Sequence, residues 1–315
     1  MNTRLTPRLV LLLVLPPMLW AGNAVVGRLA TGQVPPVTLN ALRWLLALVI
    51  LLPLGWRVLG TPAARREVWR CWKPLALLGL FGIGSYNALQ YLALTTSSAL
   101  NVTLILASTP VWMLLIGALV YRERPSRRAA IGAALSLTGV AVVITRGDLA
   151  ALAGVRFVPG DLLMLLAAFV WACYSWLLAR PPAALAIGQR PDWDWAGFLL
   201  LQVMFGAAWA SLWAGIEVLV APAPILWSPW VLMALLYVAI GPALIAYRCW
   251  GLGVAAVGPA VAALFGNLTP VFAALLSALV VGEPPRPFHG VAFLLIVSGI
   301  LVSTRPPRPA QVSSR

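Results

Sequence analysis

Asparagine, hydroxyl and aromatic side chains occur within long apolar stretches of this chain, and their types suit them to bind a small molecule. Asparagine amides and serine or threonine hydroxyls can orient an amino or carboxylate group, and tryptophan and tyrosine rings can stack on an apolar side chain. Because such groups are costly to bury in hydrocarbon, those near the middle of an apolar stretch are candidates for a binding site. The candidates are Trp20, Asn23, Tyr86, Asn87, Asn101, Ser108, Thr109, Trp171, Tyr174, Tyr247 and Asn267.

The same residue types also have purely structural uses. Serine and threonine in apolar helices often bond to their own backbone or to a neighbouring helix. The chain has 15 tryptophans, and those near the ends of apolar stretches, such as Trp227 and Trp230, are typical of interfacial belts. Trp171 and Tyr86 are the strongest candidates, and if they face each other across a cavity, each offers a flat apolar wall to a ligand.

Residues for covalent or metal chemistry are scarce. His289 is the only histidine, and a zinc site needs more ligands than the chain offers. Cys71, Cys173 and Cys249 follow no known spacing and are interpreted as small apolar fillers. The sequence has no P-loop motif, so direct use of ATP is not expected. We therefore expect no enzyme, no metal and no cofactor.

The composition indicates a membrane protein. Hydrophobic residues make up 62% of the 315 residues and charged residues only 10%, against about 25% charged in soluble domains. Apolar runs of about 18 residues or more are typical of transmembrane helices. The first run is too long for the apolar core of a signal peptide and is interpreted as a membrane span. The net charge of +14 is interpreted as basic residues flanking the spans, and nucleic-acid binding is not expected.

Turn residues and charges divide the chain into ten predicted spans. Most basic residues then fall in the loops on the side of the N-terminus, which places both termini in the cytoplasm by the positive-inside rule. The predicted fold is therefore an all-α membrane protein of ten transmembrane helices. The spans cover residues 9–27, 37–54, 74–94, 98–121, 129–145, 160–179, 195–219, 229–251, 257–281 and 288–303.

One apolar segment is written twice. "PVWMLLIGALVYRERP" begins at Pro110 and "PVFAALLSALVVGEPP" at Pro270, and "MLWAGNAVV" in the first span resembles "FVWACYSWL" in the sixth. These matches predict two five-helix halves, residues 1–150 and 151–315. Because five is odd, the second half would be inverted in the membrane. In transporters with inverted repeats, the binding site lies near the midplane between the repeats.

Each copy of the segment ends in a glutamate. Glu123 and Glu283 would lie on opposite faces of the membrane. They could act as gates or proton sites. The favoured interpretation is that each carboxylate binds the N-terminal amides of the next helix.

Together these features resemble the EamA-type exporters of the drug/metabolite transporter superfamily. The likeness covers nearly the whole chain, and "SYNALQYLAL" and "VWACYSW" make it most similar to the YddG-type exporters of amino acids. The resemblance implies efflux of small metabolites through a central cavity lined by the first four helices of each half, with the fifth as a buttress. Ser85 and Tyr86 match the Ser-Tyr pair of the family's third helix, and Trp171 matches its sixth-helix tryptophan.

The remaining predictions concern mechanism. Arg43 could meet a substrate carboxylate, or its side chain could snorkel to the outer interface. Prolines within the spans could serve as bends or as static kinks. No carboxylate lies deep in a span, which favours facilitated diffusion over proton coupling. We expect a monomeric secondary transporter of the bacterial inner membrane, with an amino acid as substrate and the lipid bilayer as surroundings. Nucleotide-sugar, sugar-phosphate or drug transport, a channel and an intramembrane enzyme are the alternatives.

Overall fold

The structure is a computed structural model that describes residues 5–97, 99–123, 125–154, 157–186, 189–281 and 286–304. These residues form helices and connecting turns, with no strand among them. The α-helices are α1 (Pro7–Leu29), α2 (Pro36–Gly55), α3 (Pro62–Arg70), α4 (Trp72–Leu78), α5 (Tyr86–Thr96), α6 (Ala99–Ala107), α7 (Thr109–Leu119), α8 (Arg127–Ile144), α9 (Pro159–Ala179), α10 (Trp195–Val220), α11 (Pro229–Val238), α12 (Ala246–Val257), α13 (Pro259–Gly266), α14 (Thr269–Val281) and α15 (Pro287–Thr304).

Within the described residues, eight helices are long and apolar enough to cross a membrane. They correspond to eight of the ten predicted spans. The other two spans contain the shorter apolar segments Ile105–Leu119 and Pro259–Ala273. The eight long segments are Pro7–Gly27, Pro36–Leu59, Trp72–Thr96, Arg127–Ile144, Pro159–Ala179, Trp195–Val220, Pro229–Val257 and Pro287–Thr304.

The fourth and ninth predicted spans are broken at equivalent places. Pro110 lies in the first turn of α7 and Pro270 in that of α14, and proline cannot donate the hydrogen bond that would continue the preceding helix. Adjacent threonines compensate: the Thr109 hydroxyl donates to the Leu106 carbonyl at 2.5 Å, and the Thr269 hydroxyl donates to the Gly266 carbonyl at 2.7 Å. Both copies of the repeated segment therefore begin a new helix within a predicted span.

The third and eighth predicted spans contain π-helical segments at equivalent positions. Gly79–Ser85 joins α4 to α5, and Ala239–Ile245 joins α11 to α12. A π-helical segment widens the backbone turn and leaves carbonyls available to other partners, often at functional sites. The Tyr247 hydroxyl donates to the Gly82 carbonyl, and the Trp20 indole donates to the Pro242 carbonyl at 3.2 Å. Each half of the chain thus supplies an aromatic donor to the π-helical segment of the other.

Helices from one half of the chain pack against helices from the other half. The first helix, α1, packs against α12, α13 and α14, and α9 packs against α5, α6 and α7. The helices α2 and α10 pack on each other. The core therefore lies where the two halves meet, and the candidate residues are on the helices that surround it.

Helices α8 and α15, which correspond to the fifth and tenth predicted spans, also pack on each other. Their backbones are in close approach, since a Cβ on Gly299 would lie 2.5 Å from the Gly132 carbonyl oxygen. Neither helix carries one of the candidate binding residues. Residues of both helices, among them Val140 and Ile296, belong to the main hydrophobic core.

Candidate functional site

Seven aromatic side chains meet between the halves and form what we call the aromatic cluster. Trp171 on α9 is its centre, with ring centroids 4.8 Å from Tyr86, 5.2 Å from Tyr174 and 5.3 Å from Trp20. The rings of Trp250 and Tyr247 lie 5.3 and 5.5 Å from Trp171. Its members are Trp20, Trp44, Tyr86, Trp171, Tyr174, Tyr247 and Trp250, which come from α1, α2, α5, α9 and α12.

The cluster is enclosed on most sides. Trp171 is 4% exposed and Tyr174 1% exposed, whereas Trp20 and Tyr86 are half-buried and form its accessible edge. Trp171 and Tyr86 are in direct contact, so they do not face each other across an open space in this structure. A ligand ring can enter between them only if one of the two side chains moves.

Polar atoms of the rings hold the aromatic cluster in place. The Tyr174 hydroxyl donates to the Gln202 side-chain oxygen at 3.1 Å, and the Trp250 indole donates to the Ser175 hydroxyl at 3.1 Å. The Trp44 indole nitrogen is buried without a hydrogen-bond partner among the described residues. Because most of these polar groups are paired within the protein, the cluster presents mainly apolar ring faces to a ligand.

A polar network surrounds Arg43 beside the aromatic cluster. Its Nη1 donates to the Asn87 side-chain oxygen at 3.2 Å, to the Asn23 side-chain oxygen at 3.3 Å and to the Tyr91 hydroxyl at 3.3 Å. The Tyr91 hydroxyl donates to Asn23 at 3.4 Å. Arg43 is 1% exposed, which excludes the second of its two interpretations, a side chain that snorkels to the outer interface. Its charge is held inside the helix bundle by groups from α1 and α5.

Arg43 and the aromatic cluster form one continuous site. The guanidinium carbon of Arg43 lies 5.2 Å from the centroid of the Trp44 ring, and Trp44 meets Tyr247 edge-on with centroids 4.9 Å apart. Tyr86 of the cluster and Asn87 of the network are neighbours on α5. The arrangement places stacked rings next to a buried cation, which suits a ligand with a flat apolar part and a polar end.

Several other candidates make structural contacts. The Ser108 hydroxyl donates to the Ile105 carbonyl at 2.6 Å, as the Thr109 hydroxyl does to Leu106. The Asn267 amide donates to the Ser136 hydroxyl at 2.9 Å and to the Ala107 carbonyl at 3.3 Å. These bonds use the hydroxyls and the amide to join or end helices. The side chain of Asn101 lies outside the described residues.

Of the two glutamates that end the repeated segment, the structure describes Glu123. Glu123 forms an ion pair with Arg180 at 2.5 Å, which joins the end of α7 to the end of α9. At the start of the next helix, α8, it is the Ser126 hydroxyl that accepts the hydrogen bond from the Ala129 amide, at 3.1 Å. Beside this ion pair, the rings of Tyr121 and Trp176 stack with centroids 4.5 Å apart. Glu283 lies outside the described residues. The favoured interpretation of Glu123 as a helix cap is therefore wrong.

Two other carboxylates do occupy helix N-termini. Glu217 on α10 accepts hydrogen bonds from the amides of Val37 and Thr38, at 2.9 and 2.7 Å, at the start of α2. Asp161 accepts from the Val158 amide at 2.9 Å and from the Ser97 hydroxyl. Both carboxylates lie where helix N-termini favour anions.

The sequence did not single out Trp44, Tyr91 or Trp250 as site residues. Trp44 directly follows Arg43, Trp250 follows Tyr247 by three residues, and Tyr91 follows Asn87 by four. Helical residues three or four apart share a face, so the positions of Trp250 and Tyr91 could have been found by extending the candidate faces by one turn.

Comparison with known proteins gives a family for this arrangement. The model of the EamA-like transporter family matches residues 8–145 and 158–305. An uncharacterized transporter of Archaeoglobus fulgidus is 27% identical and covers 93% of this chain and 96% of its own length. The aromatic amino acid exporter YddG of Ancylobacter novellus is 27% identical, covering 91% of this chain and 93% of its own.

Further similarities agree with that family. A probable amino-acid metabolite efflux pump of Salmonella typhimurium is 26% identical and covers 94% of this chain and 95% of its own. A crystal structure superposes with a TM-score of 0.71 over 94% of this chain and 96% of that one. At 24% identity, this last similarity shows that the fold is shared.

Proposed function

Because the chain belongs to the EamA-like transporter family, a family of multi-pass membrane transporters, we propose that it exports amino acids, including aromatic and large apolar ones. A relative named as an aromatic amino acid exporter and another named as a probable amino-acid metabolite efflux pump support this choice of substrate. The export would be secondary transport by alternating access, with the substrate held between the two halves.

The proposed architecture has ten spans in two inverted halves, residues 1–150 and 151–315, with both termini in the cytoplasm. The eight long apolar helices support it, as do the two apolar segments broken near Pro110 and Pro270. The exchange of packing partners between α1 and α9 is also what a two-fold relation of the halves in the membrane plane would produce.

The aromatic cluster is the observation that carries the proposed substrate. Trp20, Trp44 and Tyr86 come from the first half, and Trp171, Tyr174, Tyr247 and Trp250 come from the second. An aromatic amino acid would replace ring contacts within the cluster by similar contacts with its own side chain, at little net cost. Because the cluster spans both halves, such a replacement would couple substrate binding to their relative movement.

We propose that transport is facilitated diffusion down the substrate gradient. Carboxylates that carry protons in pumps usually lie within the spans. Here Glu217 and Asp161 lie at helix ends, where backbone amides donate hydrogen bonds to their side chains. Neither carboxylate lies deep within a predicted span.

Accumulation of a toxic aromatic analogue tests the proposed function in cells. Cells that express the protein and are exposed to labelled 4-fluorophenylalanine should hold less label, and tolerate more of the analogue, than cells with an empty vector. Equal accumulation in both, with the protein present in the membrane fraction, would contradict amino acid export.

A further inference from the structure

Arg43 is a buried cation whose hydrogen-bond partners are neutral. It is 1% exposed, and its acceptors are two amide oxygens and a phenol. Among the residues that the structure describes, the ion pairs are Arg70 with Glu67 and Arg180 with Glu123, and neither involves Arg43. A charge inside a membrane protein is costly and is commonly kept for a functional partner.

One edge of the guanidinium is occupied and the other is not. All three described acceptors of Arg43 bond to Nη1, at 3.2 to 3.3 Å. Its Nε is fully enclosed and has no hydrogen-bond partner among the described residues. The edge formed by Nε and Nη2 is one of the two that bind a carboxylate with a pair of parallel hydrogen bonds. The network therefore fixes the guanidinium by Nη1 and leaves Nε as a donor without an acceptor, which an additional acceptor can reach only if the enclosing side chains move.

We infer that Arg43 binds the carboxylate of the transported amino acid through its Nε edge, while the side chain of that amino acid contacts the aromatic cluster. This assignment rests on the proposed function. In this assignment Asn23 and Asn87 are positioning residues, since their neutral amides hold the guanidinium from α1 and α5 and do not neutralise its charge. The 5.2 Å distance from Arg43 to the Trp44 ring connects the cationic end of the site to its aromatic part.

The charge of the site selects a monoanionic group. One guanidinium with one free edge matches one carboxylate, whereas a diphosphate would bring at least two negative charges into the same enclosed space. Arg248, also on a helix of the core, is directed elsewhere, with its guanidinium carbon 5.2 Å from the ring of Trp195. That arginine offers a matched control, because its distance to a tryptophan ring equals that of Arg43.

Ligand-induced thermal stabilisation of the purified protein tests the assignment with three probes. Tryptophan carries both charged groups, tryptamine lacks the carboxylate, and indole-3-propionate lacks the ammonium. The wild type should bind the two carboxylates at least about tenfold more tightly than tryptamine, the value expected for a hydrogen bond to a charged group. Arg43→Met should abolish this preference, Arg43→Lys should reduce it severalfold, and Arg248→Met should preserve it.

The outcomes separate this inference from the proposed function. If the wild type binds tryptamine as tightly as tryptophan, or if Arg43→Met weakens all three probes by one factor, Arg43 is a structural residue and the inference fails. If Arg43→Met does not fold, an unchanged preference in Arg43→Lys overturns it equally. If the Arg43-dependent preference holds for indole-3-propionate but tryptophan does not bind, the carboxylate site stands and the amino acid substrate is wrong.

Discussion

The indole ring of Trp171 lies against the phenol ring of Tyr86, with centroids 4.8 Å apart and planes tilted by 37°. The contact joins α9 to α5, and so joins the two halves of the transporter at its centre. Any movement that opens a path between these helices must separate the two rings. Trp171 is therefore where substrate contact and movement can be tested together.

Trp171→Phe is the cleanest test of the aromatic cluster. Trp171→Ala would leave a cavity at a side chain that is 4% exposed, costing about 3–5 kcal/mol of stability and obscuring a binding effect. Phenylalanine keeps an apolar ring but loses part of the stacking, worth about 0.5–1.5 kcal/mol. The apparent affinity for tryptophan in a transport assay should fall severalfold, and the affinity for small amino acids should fall less.

Trp227→Phe is the control, because Trp227 is 57% exposed. Equal affinities for all substrates in Trp171→Phe and in the wild type would show that Trp171 serves packing alone.

Gly82→Ala tests whether the first π-helical segment needs a glycine under the aromatic cluster. A Cβ on Gly82 would lie 2.5 Å from the ring of Tyr174, which is 1% exposed and has no room to retreat. Such overpacking costs about 1–3 kcal/mol, so the apparent melting temperature should fall. Gly251→Ala, where nothing lies within 4 Å of the added Cβ, should leave it unchanged or raise it. Equal melting temperatures for the two variants would mean that Tyr174 is not held as the structure shows.

The Glu123–Arg180 ion pair is expected to hold the ends of α7 and α9 together. Both side chains are partly exposed, at 46% and 61%, so the pair should be weak and sensitive to salt. The half-buried Cys173 on α9 is a native reporter, since Cys71 and Cys249 are buried. Glu123→Gln should increase the rate of maleimide labelling of Cys173 by up to about fivefold, the limit for an exposed pair. The double variant Glu123→Arg with Arg180→Glu should restore the slow rate. If all three proteins label alike, the pair does not control opening at this end.

Sequence reasoning succeeded where residue type alone was informative and failed where the direction of a side chain mattered. Rings within an apolar stretch are conspicuous, so the sequence indicated Trp171 and Tyr86, which the structure brings into contact; their role in binding stays a prediction. Pro110 and Pro270 do mark helix breaks. Ser108 and Asn23 are both polar residues within apolar stretches, yet the Ser108 hydroxyl bonds to the Ile105 carbonyl of α6 while Asn23 reaches Arg43.

The reason lies in the helices themselves. Helices α1 and α2 are apolar nearly all round, so no amphipathic pattern tells which face meets the core. Whether Arg43 points inward or toward the interface depends on its neighbours α1 and α5. Its partners on these helices are 20 and 44 residues away in the chain and are brought close by packing. Only the folded arrangement could decide between those two interpretations.

Cysteine accessibility tests the proposed topology. In a variant without native cysteines, a cysteine at Gly154 should react with an impermeant maleimide added outside intact cells, and one at Ala63 should react only after permeabilisation. Both positions are exposed in the structure, so differences in burial do not explain a difference in labelling. The reverse pattern would overturn the placement of the termini in the cytoplasm.

Flux of labelled tryptophan through reconstituted protein is the most direct measurement of the central claim. Proteoliposomes loaded with tryptophan should release it with saturable kinetics, and phenylalanine should compete. The internal and external concentrations should become equal, and an imposed pH gradient should produce no uphill accumulation. Tryptophan release no faster than from protein-free liposomes, by protein shown to be folded, would contradict the account.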